Sequence, residues 1–155
     1  MRDLIIAKIK KANPTILREV NRLAAGMALT KTLPPPLTLM QLRELIAQTN
    51  VVMLGASSGR GKSKKIIGFL TVYLVRIPTG LLAVAEDLLV DGPYRKWGVG
   101  RLLMEQAINL AEKKSARHIS LRTNPIRTEA NRLYQQMGFQ LMTTNYFRIN
   151  LPRKK

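Results

Sequence analysis

Apolar and polar residues follow two different spacings along this chain, and the changes of spacing predict the order of its elements. A short apolar run at Leu4–Ile9 predicts a first strand. Asn13 followed by Pro14 is typical of a helix start, since the asparagine caps free amides and proline fits the first turn. Apolar residues then recur at helical spacing: Ile16, Leu17, Val20, Leu23, Ala24 and Met27. An amphipathic helix is therefore predicted after the first strand.

Three successive prolines interrupt the pattern in the segment Thr30–Thr38. Prolines remove backbone donors and cannot continue a helix, so this segment is predicted to be a loop, a candidate wall of a substrate site. Thr38, with Gln41 three residues later, resembles a capping box and predicts a second, short helix.

The middle of the chain predicts an antiparallel meander of three strands. They are Asn50–Ser57, Lys64–Val75 and Leu81–Val90. The glycine-rich connection SGRGKS suits a hairpin between the first two, and Pro78–Gly80 forms the next turn.

The last third of the chain predicts four further elements. They are a helix from Gly98, a strand at His118–Arg122, a helix capped by Thr128 and ending at Met137, and a closing strand at Asn145–Leu151. Gly138 with Phe139 is the expected glycine stop of the last helix. The order predicts one domain over residues 1–155, of the α/β (α+β) class, with a mixed central sheet flanked by about four helices.

Composition narrows the chemistry that such a domain can perform. The 155 residues include no cysteine and one histidine, His118, which excludes thiolate nucleophiles and leaves little for a metal or a serine–histidine triad. No metal is expected. No apolar stretch is long enough to span a membrane, and the N-terminus lacks a signal-like run, so a soluble, cytoplasmic protein without a membrane partner is expected.

The charge of the chain is strongly positive. It has 26 Lys and Arg against 9 Asp and Glu, for a net charge of +17. Such a surface favours anionic partners, whether nucleic acid, acidic protein or a phosphorylated cofactor, although a merely solvated basic surface is an equal alternative. Aromatic residues make up only 5% of the chain, which leaves few platforms for stacking bases.

Two glycine-rich stretches compete as phosphate sites. The first, ASSGRGKS at Ala56–Ser63, is one residue away from a nucleotide-binding phosphate loop. Such a loop requires a helix directly after its lysine and serine, whereas Lys64–Val75 is rich in β-branched and aromatic residues. A plain hairpin turn is therefore the favoured interpretation.

The second stretch, RKWGVG at Arg95–Gly100, stands between an apolar run and a helical pattern. Gly98 and Gly100 let the backbone turn tightly and let a ligand approach its amides. The helix start adds free N–H groups and a positive dipole end, and Arg95, Lys96 and Arg101 add full charges. Together these features suit a pyrophosphate.

The stretch AEDLLVDGPYRKWGVGRLL, followed about thirty residues later by NRLYQQMGF, resembles the GNAT superfamily of N-acetyltransferases. The family's acetyl-CoA loop pattern is filled by Arg95, Gly98 and Gly100, and its helix-ending pattern is filled by Tyr134 and Gly138–Phe139. The resemblance covers nearly the whole chain and implies two strands that splay apart to admit the cofactor. Lys96 stands where many relatives have glycine, and Arg127 where many have asparagine.

The resemblance implies acetyl-CoA as cosubstrate and assigns residues to it. Backbone groups of Leu88, Leu89 and Val90 would pair with pantetheine and meet the thioester carbonyl. The pyrophosphate would lie on the glycine turn, formed by Arg95, Lys96, Trp97, Gly98, Val99, Gly100 and Arg101. Asn131 would donate to the phosphate–pantetheine region, with core packing or surface exposure as equal alternatives. Tyr134 would be the acid that protonates the CoA sulfur.

Two adjacent carboxylates interrupt the apolar strand before this turn. Glu86 is the expected general base, directly or through water, and Asp87 the expected anchor for a cationic substrate, with pairing to a neighbouring arginine as its alternative. Since adjacent strand residues point to opposite faces, the two cannot share one role without a bulge.

The sequence thus predicts an enzyme, an N-acetyltransferase that uses acetyl-CoA and acts by direct attack of a primary amine in a ternary complex. The amine belongs to a small molecule, a peptide N-terminus or a protein lysine. The alternative is a non-catalytic module of the same fold that binds CoA or a polyanion. A homodimer is also an expectation, since dimers are common in this superfamily.

Overall fold

The computed structural model describes residues 3–26, 35–59, 61 and 64–151. The chain forms two compact units, Met1–Arg122 and Thr123–Lys155. In the first unit the strands are β1 (Ile5–Lys8), β2 (Val51–Ser58), β3 (Lys65–Ile77), β4 (Gly80–Val90) and β5 (Ile119–Leu121). Its helices are α1 (Pro14–Ala25), α2 (Leu39–Ala47) and α3 (Val99–Lys113), with a short 3-10 turn at Gly92–Tyr94. The second unit contains α4 (Thr128–Gln136).

The five strands form one mixed sheet in the order β1-β2-β3-β4-β5. The first four are antiparallel neighbours, and β5 is parallel to β4. The β4–β5 pairing ends at Ala85 and Leu121, whereas β4 continues to Val90. The two strands therefore separate halfway along β4, in agreement with the predicted splayed strands.

The two N-terminal helices begin at the predicted caps. The Asn13 side chain accepts a hydrogen bond from the Ile16 amide at 2.9 Å, and Pro14 is the first helical residue. In α2 the Gln41 amide donates to Thr38 Oγ1 at 3.2 Å, and the Thr38 amide donates to Gln41 Oε1 at 2.8 Å. Both caps satisfy amides that the helix itself leaves free, so these predictions are confirmed.

The helices of the first unit cover both faces of its sheet. On one face α1 and α2 enclose an apolar cluster of buried residues: Ile9, Val20, Leu23, Leu42, Met53, Phe69 and Leu89. On the other face α3 contacts the first four strands, and a Cβ added at Gly68 would lie 3.4 Å from Leu103 of this helix. Among the described residues no helix combines the length and the apolar run needed to cross a bilayer.

Two details of the C-terminal prediction are wrong. Asn145–Leu151 forms no strand: the described residues there have no regular structure, and Phe147 and Ile149 are exposed. Alternation supplies the side-chain pattern of a strand, but a strand also needs a ladder partner, and no pairing is formed here. Thr128 is the first residue of α4 rather than its cap, since Arg127 occupies the cap without a side-chain hydrogen bond.

Some predictions fall outside the described residues. They are Met27 of the predicted first helix, residues 30–34 of the proline segment, and Arg60, Lys62 and Ser63 of the glycine-rich connection. The described part of the proline segment, 35–38, leads without helix or strand into α2. The extent of the single domain, 1–155, stays a prediction.

Gly68 allows β3 and β4 to approach each other closely. A Cβ at this position would lie 2.7 Å from the backbone oxygen of Leu89, which is closer than van der Waals contact allows. We expect Gly68→Ala to lower the free energy of unfolding by about 1–3 kcal/mol, because the strand must shift. Gly92→Ala is the matched control, since its Cβ would meet nothing within 4 Å. Urea denaturation measures both, and equal stabilities would contradict the argument.

Candidate active site

A β-bulge lies in the middle of β4. Thr71 of β3 pairs with Glu86, and Phe69 pairs with Leu89, so three steps along β4 match two steps along β3. The extra residue, Asp87, has a φ of 56°, in the left-handed region. Aspartate enters this region more readily than most residues, so the residue type suits the bulge.

The bulge brings the two carboxylates to one cavity. Regular alternation would turn neighbouring side chains to opposite faces, but Glu86 and Asp87 both line a cavity of about 420 Å³. The other lining residues are Tyr73, Val75, Val84 and Arg122. We call this cavity the carboxylate pocket.

Glu86 is held by an arginine that follows β5. Arg122 donates from Nη2 to Glu86 Oε1 at 2.6 Å and from Nε to the same oxygen at 3.2 Å. One oxygen of Glu86 thus already accepts two charge-assisted hydrogen bonds. Pairing with a neighbouring arginine is the alternative role predicted for Asp87 from the sequence, but in the structure it is Glu86 that pairs with Arg122.

Asp87 binds a proton more tightly than an ordinary aspartate does. Its withdrawal from water, followed by the nearby negative charge of Glu86, raises the pKa of Asp87 above the ordinary value. Burial, then the charges of Asp87 and Glu86, also raise the pKa of the Tyr73 hydroxyl, which therefore stays protonated at neutral pH.

The half of β4 that follows the bulge offers backbone amides at an open edge. The Asp91 amide donates to Ile67 of β3 at 2.8 Å. Since amides alternate along a strand, the Leu89 amide also faces β3, and those of Leu88 and Val90 face the opposite edge. Pairing with β5 has ended before this point, and within the described ranges no other strand pairs there.

The glycine turn before α3 has the backbone that the sequence predicts. Gly98 caps the helix at φ 80° and ψ 0°, in the left-handed region where glycine is unstrained. A Cβ here would meet nothing within 4 Å, so the turn opens to a ligand. Lys96 also has a left-handed φ, 63°, which costs a lysine about 1 kcal/mol.

The first turn of α3 presents free amides at this open turn. The first bond of the helix runs from the Leu102 amide to the Gly98 oxygen at 3.0 Å. The amides of Val99, Gly100 and Arg101 therefore have no acceptor within the helix and, with the positive dipole end, suit an anion. The Val99 side chain is buried, so only its backbone can take part.

The charged and aromatic residues of the turn have other contacts as well. Arg95 donates from Nε to the Val90 oxygen at 3.3 Å, which joins the turn to the end of β4. Arg101 lies 3.9 Å from Glu105 on the next helical turn. Trp97 is exposed and contacts Tyr94 edge to face, with ring centroids 6.2 Å apart.

In the second unit, the Tyr134 pattern forms the end of α4. Gly138 has a φ of 86° and donates to Gln135, while the Phe139 amide donates to the Tyr134 oxygen at 3.0 Å. These two bonds form a Schellman motif. The Phe139 ring packs edge to face on Tyr134, and burial raises the pKa of the Tyr134 hydroxyl against the opposing charge of Arg127. The hydroxyl therefore keeps its proton at neutral pH.

Asn131 holds the start of the same helix. Its Nδ2 donates to the backbone oxygens of Arg127 at 2.9 Å and of Asn124 at 3.1 Å. The amide group thus stabilises the turn before α4, and a contact with CoA stays a prediction.

Sequence reasoning missed two polar residues of the carboxylate pocket, Tyr73 and Arg122. Neither is predicted as a site residue: Tyr73 lies within the predicted strand Lys64–Val75, and Arg122 ends the predicted strand His118–Arg122. The alternation Thr71–Tyr73–Val75 places Tyr73 on the Glu86 face once the β3–β4 register is known. The sequence alone does not provide that register.

Several solved structures with the same fold are named as acetyltransferases. An aminoglycoside acetyltransferase from an uncultured soil metagenomic sample, in complex with trehalose, superposes with a TM-score of 0.80 at 21% identity, over 96% of this chain and 97% of that one. Ribosomal-protein-alanine N-acetyltransferase from Brucella melitensis biovar Abortus 2308 gives 0.71 at 20% identity, over 96% and 99%. Glucosamine-6-phosphate N-acetyltransferase from Arabidopsis thaliana gives 0.74 at 15% identity, over 94% and 97%. The fold is therefore that of the GNAT acetyltransferases.

The sequence profile of the Acetyltransferase (GNAT) family matches residues 28–139, which is most of the chain. The protein belongs to this family. Comparison with curated protein sequences finds no match.

Proposed function

We propose that the protein transfers an acetyl group from acetyl-CoA to a primary amine by direct attack in a ternary complex. The observation that carries the proposal is the division of β4 by its bulge. Glu86 and Asp87 line a pocket, and the strand that follows them immediately presents the amides of Leu88 and Val90 at an unpaired edge. One strand therefore offers groups for both an amine and a donor.

The described residues fit acetyl-CoA. The left-handed turn at Gly98 leaves open the space into which a Cβ would project. The N-terminal amides of α3, at the positive end of the helix dipole, lie at this turn. These groups suit the pyrophosphate, and the open edge of β4 suits an amide-bearing chain that pairs as an added strand. When bound, the cosubstrate supplies an acetyl group activated as a thioester.

The structure favours exchanging the roles that the sequence suggested for the two carboxylates. Glu86 is engaged by Arg122 through two hydrogen bonds to one oxygen, so a proton taken there would disrupt the pair. Within the described part of the chain Asp87 has no such bond, and its raised pKa makes its carboxylate a stronger base than that of an ordinary aspartate. We therefore assign proton acceptance to Asp87 and cation anchoring to Glu86.

Two residues of this chain are proposed to move the protons of the transfer. The amine nitrogen forms a bond to the acetyl carbon as the carbon–sulfur bond breaks. Asp87 accepts the proton that the amine loses, directly or through water. The departing sulfur takes up a proton, and the family resemblance assigns that acid role to Tyr134. The chain has no cysteine to carry the acetyl group in between, which is the reason for preferring direct attack.

The carboxylate pocket favours an acceptor that is cationic at neutral pH. Two carboxylates face one guanidinium in it, so the pocket is locally acidic on a chain of net charge +17. An ammonium group is attracted to such a pocket although the rest of the surface repels it. Proteins of the same fold named as aminoglycoside and glucosamine-6-phosphate N-acetyltransferases are consistent with an amine-bearing acceptor.

The test is release of free CoA thiol from acetyl-CoA in the presence of a panel of amines. The panel comprises aminoglycosides, amino sugars, lysine-containing peptides and peptides with a free N-terminus. We expect thiol release that depends on one class of amine, with an equal amount of acetylated product by mass spectrometry. Tight binding of acetyl-CoA with no transfer to any class would instead favour the non-catalytic module.

A further inference from the structure

A second cleft of the first unit shares no residue with the carboxylate pocket and is strongly basic. It has a volume of about 710 Å³ and is lined by parts of β1, the first turns of α1, β2 and the start of β3. Its cationic lining residues are Lys8, Lys10, Lys11, Arg18, Lys64 and Lys65. Among the described lining residues Glu19 is the one carboxylate, and Arg22 pairs with it at 3.0 Å. We call this site the lysine cleft.

The start of α1 adds to the positive potential of the lysine cleft. Thr15 and Ile16 of its first turn line the cleft, and the first turn contains no acidic residue. The positive end of the helix dipole is therefore not neutralised by a side chain of the helix itself. The cationic side chains and the helix dipole therefore both attract an anion in the cleft.

The apolar lining of the cleft is already used by the fold. Ile9 is a member of the buried cluster under α1 and α2, and Ile16 and Ile66 pack against that cluster. None of the described lining residues is aromatic. The cleft therefore offers neither a pocket for an apolar peptide anchor nor a platform for stacking a base.

The glycine-rich connection between β2 and β3 lies at this cleft. Gly59 and Gly61 have left-handed φ values of 91° and 53°, and Gly61 is a lining residue. Because antiparallel strands flank it, the connection is a hairpin and not a strand-to-helix phosphate loop. The phosphate-loop hypothesis for nucleotides is thus not supported, but the basic residues after the turn line an anion-binding surface.

We propose that the lysine cleft binds the phosphodiester backbone of a nucleic acid without reading its sequence. Five of its six cations are lysines, which act as point charges and suit a row of phosphates that differ in position. Carboxylates of an acidic peptide are bound more selectively by the planar fork of arginine, of which the cleft has one. The proposal does not depend on acetyl transfer, because it uses none of the residues assigned to that reaction.

Fluorescence anisotropy of two labelled RNA duplexes of unrelated sequence tests the proposal, with titrations at several salt concentrations and with saturating CoA present. The test variant carries Lys10→Gln, Lys11→Gln and Lys64→Gln. The matched control carries Arg43→Gln, Lys113→Gln and Lys114→Gln, which are exposed, lie outside the cleft and change the net charge equally. Lys65 is left unchanged because its ammonium lies over the Tyr94 ring at 5.1 Å.

We expect equal affinity of the wild-type protein for both duplexes. The slope of log affinity against log salt should fall by about 3 in the test variant, one for each lost phosphate contact, and stay near the wild-type value in the control. Thermal melting should be the same for all three proteins. Equal losses in both variants would overturn the proposal, since net charge alone would then explain binding. Displacement by CoA, or equally tight binding of poly-glutamate to the cleft, would also overturn it.

Discussion

Gly98→Glu is expected to lower the affinity for acetyl-CoA by at least about 100-fold, the loss of roughly 3 kcal/mol of binding free energy. The new carboxylate would project into the space that is open at the glycine turn and would repel the phosphates there. It would also compete for the free amides of α3, and a side chain at φ 80° is strained by about 1–2 kcal/mol. Isothermal titration of acetyl-CoA into the wild-type protein and the variant measures the effect.

Gly98→Ala separates charge from strain in this experiment. Alanine carries the same unfavourable φ but leaves the amides free and adds no charge. We expect a lower melting temperature in both variants and a large loss of affinity only with glutamate. Wild-type affinity in the glutamate variant would show that the donor does not lie on this turn.

Asp87→Asn is expected to lower kcat by about 10²–10⁴-fold, the usual contribution of a positioned general base. Asparagine adopts left-handed backbone as readily as aspartate, so the bulge at φ 56° is retained. Steady-state kinetics with the acceptor found in the amine panel measures the change. Glu86→Gln is the control, and it should raise KM for a cationic acceptor more than it lowers kcat.

Asp87→Asn is also expected to change how stability and kcat/KM depend on pH. Since the pKa of Asp87 is raised in the folded protein, the native state binds this proton more tightly than the unfolded chain does. Stability therefore falls as pH rises from the ordinary carboxyl value of 3.8 through the raised pKa, and Asp87→Asn should be neutral or stabilising at pH 7. The rise of kcat/KM over the same pH range should disappear in the variant. A retained rise would assign the base elsewhere.

The sequence predicts the parts of this fold whose signals are local. Asn13 and Thr38 mark helix starts because their side chains bond amides three residues away, and Gly98 marks a turn because its left-handed φ favours glycine. The failure at Asn145–Leu151 has the opposite cause. An alternating pattern states which side chains share a face, but pairing depends on an edge distant in sequence.

The candidate site also has one part that local sequence signals predict and one part that they do not. The glycine turn follows from adjacent residues, and its geometry agrees with expectation. The carboxylate pocket depends on the register between β3 and β4, and on Arg122 lying 36 residues from Glu86 in sequence. Both carboxylates could be found as polar interruptions of an apolar strand, but their shared cavity and their different partners could not.

Asp87 occupies a position that the sheet itself does not need. The pairs Thr71–Glu86 and Phe69–Leu89 would form an unbroken ladder if this one residue were absent, and Leu89 would still face the cluster beneath α1 and α2. The proposed base is therefore an extra residue that the pairing of β3 and β4 does not require. Natural variation can exchange the side chain at this place, and with it the reaction, while the hydrogen-bonded ladder and the core on either side stay unchanged.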